Sequence, residues 1–195
     1  MAQYQARIAP FINEEFTVTS AQPYYPDGTI HGGFDISTGR NSPVYSMTAG
    51  TVIYSEYNTG GYGNCIIIRD SLSGTSILYA HLRDLPLFSV GQSVGLLAQI
   101  GVEGTTGDST GIHLHLEIQY NTTGFGWNWN IPKLERPHVA DFMGIPNQYG
   151  ITVIFTGTPP PPPTTKTTKH KFKWVLYANK LRNRNVNDYV NYTYY

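Results

Sequence analysis

Residues 112–118 read IHLHLEI, and no other segment restricts the possible folds of this chain so tightly. Ile112, Leu114, Leu116 and Ile118 alternate with His113, His115 and Glu117. Successive side chains of a strand point to opposite faces, so the pattern predicts a β-strand whose four apolar residues face a core. His113 and His115 then stand together on the other face, roughly 7 Å apart by strand rise. Two imidazoles so placed can share one ion, or one can bind it while the other contacts the ion's ligand. A solvated face that carries two histidines by chance explains the segment about as well.

Period-two alternation recurs at 51–57, 64–69, 75–81 and 93–100, with Gly-rich turns at 58–63 and 104–111. No segment carries a 3.6-residue apolar stripe, and no internal repeat is present. The expected fold is all-β, a mostly antiparallel sheet with long loops and little helix. Composition agrees. Charged residues make up 13% of the chain, about half the usual share, beside 15 Tyr, 20 Gly and 13 Pro. That profile excludes a helical bundle, and 40% hydrophobic residues exclude wholesale disorder. No apolar run approaches the roughly 18 residues of a membrane span. The first residues, MAQYQARIAPFINEEF, lack the apolar segment of a secretory signal peptide.

A single cysteine, Cys65, rules out an intrachain disulfide framework and a multi-cysteine metal site, so any metal must be held by histidine and carboxylate. Cys65 itself, within NCIII, reads as a small buried hydrophobe. His31 and Asp35 in HGGFD are four apart with two glycines between, which lets the segment bend so that both reach one ion. Two imidazoles and a carboxylate form an ordinary zinc ligand set that leaves a fourth position for water. His81, in YAHL, ends an alternating strand, and Tyr79 is expected on the same side, either lining a groove or packing across strands. Each piece alone has a commonplace structural explanation. Their order and the glycine turns between them are far more specific.

HGGFD, NSPVYSMTAGTVIYSEYNTGGYGN, YAHL, GQSV, IGVEGTTGDSTG and IHLHLE together resemble the LytM/lysostaphin-type zinc metallopeptidases, which cleave bacterial peptidoglycan. The resemblance runs over residues 24–120. It implies a β-sheet groove with one Zn²⁺ per chain at its floor, held by His31, Asp35 and His115. It also implies that His81 and His113 flank the ion as the two further active-site histidines, one for proton transfer and one for the oxyanion. GLLAQIG departs from the Lys- or Gly-containing turn usual in the family, and HLHLE replaces the commoner HLHFE; neither change touches a ligand position. All five positions carry the expected residue types, which argues against an inactive relative. The competing expectation is a non-catalytic structural or wall-binding component that keeps the peptidase fold.

Zero net charge hides two halves. Residues 1–163 hold 6 Lys/Arg against 12 Asp/Glu, a balance of −6, and residues 164–195 hold 7 against 1, a balance of +6. The prolines 159–163 separate them, so the expected organisation is a peptidase domain over 1–158, a polyproline linker and a basic Tyr/Asn-rich docking segment over 164–195. A wall hydrolase without a secretion signal is expected to reach its substrate as phage proteins do, either as a released lysin or on a virion tail; 164–195 is expected to dock on tail proteins, with anionic wall polymers, its own domain or a simply solvated basic tail as the alternatives. Nucleic acid is not an expected partner.

Other motifs carry less. GDSTG at 107–111 matches the serine-hydrolase elbow, but a β-alternating segment follows where a helix is required. The sequons at Asn121 and Asn191 read as chance, and His138 and His170 as structural or solvated. Glu117 is expected to be an outer partner of the site at most. The aromatics of FGWNWN (125–130) and of 60–62 are expected near the groove, as substrate contacts or as packing.

Overall fold

The computed structural model describes residues 3–70, 72–120 and 127–158. The polyproline run, the basic segment with His170 and Asn191, the sequon at Asn121 and the first two residues of FGWNWN lie outside them.

Eleven strands follow in chain order: β1 (Gln3–Gln5), β2 (Glu15–Ser20), β3 (Phe34–Ser37), β4 (Pro43–Tyr45), β5 (Gly50–Asn58), β6 (Gly63–Arg69), β7 (Ser76–Leu82), β8 (Ser93–Val94), β9 (Gln99–Val102), β10 (Leu114–Gln119) and β11 (Thr152–Ile154). Nine form one sheet in the order β1-β11-β2-β3-β10-β7-β6-β5-β8, and β4 pairs with β9 separately. Only β1 and β11 run parallel. Among the described residues helix is confined to a 3₁₀ turn at Lys133–Glu135 and a helix α1 at Val139–Met143. The fold is therefore all-β, as expected.

The sheet separates two apolar layers. Phe16, Val18, Phe34, Ile36, Ile66, Ile68, Ile77, Tyr79, Leu114, Leu116 and Ile118 enter the main core. Cys65, Ile67, Leu78 and Ala80 form a smaller layer on the opposite face with Ile53, Tyr54, Tyr62 and Trp127. Leu114, Leu116 and Ile118 are wholly buried, and exposing all three by a one-residue slip of β10 would cost roughly 5–9 kcal/mol at about 1.5–3 kcal/mol each. That is comparable to the whole stability of an ordinary domain, so the register of β10 is firmly held. Asp35 and His115 pair directly across β3 and β10. Alternation in both strands puts them on the face of the smaller layer.

Two expectations need correction. The run 93–100 is not one strand. Val94 pairs into the large sheet and Gln99 into the small one, and the chain turns between them with Leu97 at φ +59°. Tyr79 takes the second of its two expected roles, packing across strands rather than lining a groove: it is fully buried in the main core, and its hydroxyl accepts a hydrogen bond from the Met47 amide at 2.7 Å. It does not, however, share a side with His81. Tyr79 and Leu82 both enter the main core, three positions apart, so the alternation breaks between them. The break falls at His81, whose backbone is left-handed at φ +61°. Such a conformation costs an ordinary residue on the order of 1–3 kcal/mol and is found chiefly where function requires it.

Cys65 is buried as expected, and burial, then Glu56 and Glu117, push its thiol up to about 12, which leaves it chemically inert. Ser109 of GDSTG lies in the loop before β10, with no helix after it. His138 precedes α1 and contacts the Asn147 amide at 3.3 Å.

Candidate metal centre

Three donor atoms, two from HGGFD and one from β10, meet on the smaller-layer face. His31 Nε2 lies 3.2 Å from His115 Nδ1 and 3.3 Å from Asp35 Oδ1, and His115 Nδ1 lies 2.8 Å from that same oxygen. All three residues are buried. The separations can be compared with the chemistry of the donor set. Tetrahedral bonds of about 2.0–2.1 Å from zinc to nitrogen or oxygen have edges of about 3.3 Å. The triangle is thus the size of one face of a zinc tetrahedron, and its two imidazoles and one carboxylate are the right ligand types.

The other nitrogen of each imidazole is also engaged. His31 Nδ1 lies 3.0 Å from the Ser20 hydroxyl at the end of β2, and His115 Nε2 lies 3.1 Å from Glu117 Oε1. Ionised Glu117 only accepts, so Nε2 carries a hydrogen, and Nδ1 would turn its lone pair to the triangle once an ion displaced its own hydrogen. Burial would raise the Asp35 carboxyl, but hydrogen bonds from His115 and His31 overcome it and hold the group below the usual carboxylate range. Burial likewise opposes a charged His115, yet Asp35 and Glu117 on its two sides move it up to about 9. The pocket is therefore strongly attractive to a cation.

HGGFD supplies more than two candidate ligands. A Cβ on Gly33 would overlap the His115 imidazole and stand 2.8 Å from the Leu116 carbonyl oxygen. The second glycine is required because the loop lies directly against the ring of the β10 ligand. Gly33→Ala should displace that ring, weaken zinc binding at least about tenfold, as disturbed ligand support does, and cost about 1–3 kcal/mol by overpacking. Chelator competition and thermal melting check both numbers.

His81 and His113 lie beside the triangle. Their ring centroids are 4.6 Å apart, and that of His81 is 5.6 Å from His115. His113 Nε2 stands 3.9 Å from Asp35 Oδ2. The loop 104–111 fixes both rings, because His81 Nδ1 donates to the Thr106 carbonyl at 2.8 Å and His113 Nδ1 to the Gly111 carbonyl at 2.9 Å. A carbonyl only accepts, so both neutral rings carry hydrogen on Nδ1 and keep a lone pair on Nε2. Burial, then the neighbouring His115 and His113, lowers His81 to about 4, so it is neutral at pH 7.

Several parts of the site were not legible as such. Ser20 carries no sequence signal, since nothing in TVTS (17–20) distinguishes it from an ordinary strand residue. Glu117 is a closer partner of the centre than its place in the alternation suggests. Its Oε1 also accepts from the Tyr62 hydroxyl at 2.8 Å and from the Arg136 guanidinium. Tyr25 stacks on His31 with ring centroids 4.0 Å apart. Of the expected aromatics, Tyr62 reaches the site, its ring centroid 5.7 Å from that of His115, and Trp129 continues the row 5.4 Å beyond Tyr62.

Known proteins share this arrangement of sequence and fold. The peptidase family M23 matches residues 29–125. The chain is 37% identical over 108 residues to the lipoprotein YgeR of Escherichia coli, covering 54% of this chain and 42% of that protein. Over 93 residues it is 39% identical to the DD-carboxypeptidase/endopeptidase Mpg of Neisseria meningitidis, covering 47% of this chain and 20% of Mpg. It thus spans less than half the length of either relative. It does cover 86% of the lipoprotein NlpD of Yersinia enterocolitica, at 36% identity and 44% of this chain. Among solved structures, a zinc-containing peptidase from Vibrio cholerae superposes with TM-score 0.51 at 30% identity, covering 59% of this chain and 37% of that one. The catalytic domain of lysostaphin from Staphylococcus simulans gives 0.53 at 24%, covering 64% and 89%, a likeness of fold. The chain belongs to peptidase family M23.

Proposed function

We propose that the protein is a zinc-dependent endopeptidase that hydrolyses peptide crosslinks of bacterial peptidoglycan, with His31, Asp35 and His115 holding one Zn²⁺ and His81 and His113 acting beside it. The observation that carries this reading is the convergence of His31 Nε2, Asp35 Oδ1 and His115 Nδ1 at separations of 2.8–3.3 Å. The reaction class agrees with the name of Mpg, a DD-carboxypeptidase/endopeptidase.

When bound, the ion would polarise the scissile carbonyl and lower the pKa of water from about 15.7 towards 7. The chain's own residues supply the rest. Asp35 and the two ligand imidazoles sit in a buried floor, where charge is screened least. Among the described residues no hydrogen bond occupies Nε2 of His81 or of His113. Each can take the proton of the attacking water there. Once protonated, each can pass a proton to the leaving nitrogen or hydrogen-bond the oxyanion. Fixing Nδ1–H on a backbone carbonyl keeps Nε2 as the working atom throughout.

A zymogram on purified cell wall tests the reading. Clearing is expected, lost with a chelator and restored by zinc; a folded, zinc-loaded protein that clears nothing would favour a structural role instead. The enzyme is further proposed to be phage-encoded and held to a virion tail, or else released as a lysin, because a basic segment of +6 follows an acidic portion of −6. Truncation after Thr158 should preserve wall lysis and abolish incorporation into particles, and unchanged incorporation would exclude docking through 164–195.

A further inference from the structure

Arg136 lies beyond the family match at 29–125, in the segment between the 3₁₀ turn and α1. Its side chain is only 8% exposed and forms an ion pair with Glu117, which is 2% exposed. Buried arginines are uncommon and need a partner. Here the partner is the carboxylate that accepts from His115 Nε2. The arginine is held in turn: its Nε donates to the Ile131 carbonyl at 3.3 Å, and an Nη lies 3.5 Å from the Tyr62 hydroxyl. The segment around it is pinned to the other side of the centre by buried Gln22. That side chain donates to the Pro137 carbonyl at 3.1 Å and accepts from the Val139 amide at 2.8 Å. Gln22 also reaches the Gly32 carbonyl, beside His31, at 3.4 Å.

All three donors to Glu117, namely His115, Tyr62 and Arg136, converge on Oε1, and its Oε2 is buried without a hydrogen bond. Glu117 is therefore oriented through one oxygen, and a cation on that oxygen decides where it points. We propose that Arg136 is a positioning residue for the metal centre. Through Glu117 it holds the His115 ring so that Nε2–H is engaged and Nδ1 faces the ion. The inference rests on the reading of His31, Asp35 and His115 as zinc ligands. It adds a requirement that 29–125 alone does not meet, because the last link of the chain Arg136–Glu117–His115 comes from the following segment.

The test is zinc affinity, measured by chelator competition on the whole 195-residue chain, together with the visible spectrum after cobalt substitution. Arg136→Met should bind zinc about 10–100-fold more weakly than wild type, as loss of an outer partner of a ligand does, and should alter the cobalt spectrum. Glu117→Gln keeps an oxygen for His115 and Tyr62 but removes the charge that Arg136 pairs with. In that background Arg136→Met should have little further effect. This comparison also serves if the single Arg136 variant does not fold, since the double variant buries no unpaired charge. A folded Arg136→Met with wild-type zinc affinity and cobalt spectrum overturns the proposal, as does a full additional loss on the Glu117→Gln background. If wild type itself binds no zinc, the ligand assignment fails instead, and the two failures are distinct.

Discussion

Asp35→Ala is expected to eliminate stoichiometric zinc and to reduce peptidoglycan hydrolysis to background, while the sheet stays folded. Asp35 is the one carboxylate of the donor set, and its Oδ1 lies within 2.8–3.3 Å of both candidate ligand nitrogens. Without it, two neutral imidazoles face an ion with no compensating charge. Both the polarisation of the carbonyl and the activation of water depend on the ion, so the rate should fall by about 10³-fold or more. The fold should survive because the neighbouring Phe34 and Ile36 carry the burial of β3 into the main core and are untouched. Metal analysis and circular dichroism read the two outcomes separately. One zinc per chain in Asp35→Ala would show that the ion is held elsewhere.

His81→Ala and His113→Ala should give the opposite pattern, with zinc kept and activity lost. Neither ring contributes an atom to the triangle of His31, Asp35 and His115, so stoichiometry should remain near one. Removing a proton carrier or an oxyanion donor costs on the order of 10²–10³ in rate. The loop geometry sharpens this expectation. Thr106 and Gly111 carbonyls fix both rings at Nδ1, so an asparagine, which can donate a hydrogen bond but cannot carry a proton, separates the two roles. The position where asparagine keeps more activity than alanine is the oxyanion donor, and the position where it rescues nothing is the proton carrier. Near wild-type hydrolysis by either alanine variant would remove that histidine from the mechanism.

The five histidine and aspartate positions were legible through the resemblance of HGGFD, YAHL and IHLHLE to a known family, and short-range rules explain how two of these motifs work. Alternation in IHLHLEI puts His115 opposite the core, and the register of β10 is held by three fully buried side chains. HGGFD announces a close approach through its glycines, and Gly33 proves to be where the chain meets the His115 ring. Other elements were less visible. β1, β4 and β11 are three residues each, too short for a period to show, and they exist because neighbouring strands offer them hydrogen bonds. The run 93–100 looked like one strand, since sequence patterns do not distinguish Val94 in one sheet from Ile100 in another. Tyr79 and His81 are two apart and by alternation belong on one side. Only the left-handed backbone at His81 reverses that, and no periodicity rule anticipates a strained residue.

By itself the amino-acid sequence determined the all-β class and confined any metal site to histidine and carboxylate. Both follow from residue type and from spacings of a few residues, where strand geometry leaves little freedom; the choice of His31, Asp35 and His115 as candidate ligands followed from the resemblance of their motifs to a known family. The tertiary structure decided how the ligands are held: Ser20 on His31, Glu117 on His115, Arg136 on Glu117, and backbone carbonyls on His81 and His113. Those contacts join residues 11 to 25 positions apart, apart from the local pairs within β10 and its preceding loop. A hydrogen bond depends on angles and distances of a few tenths of an ångström, and only packing of the whole sheet brings distant atoms to that precision.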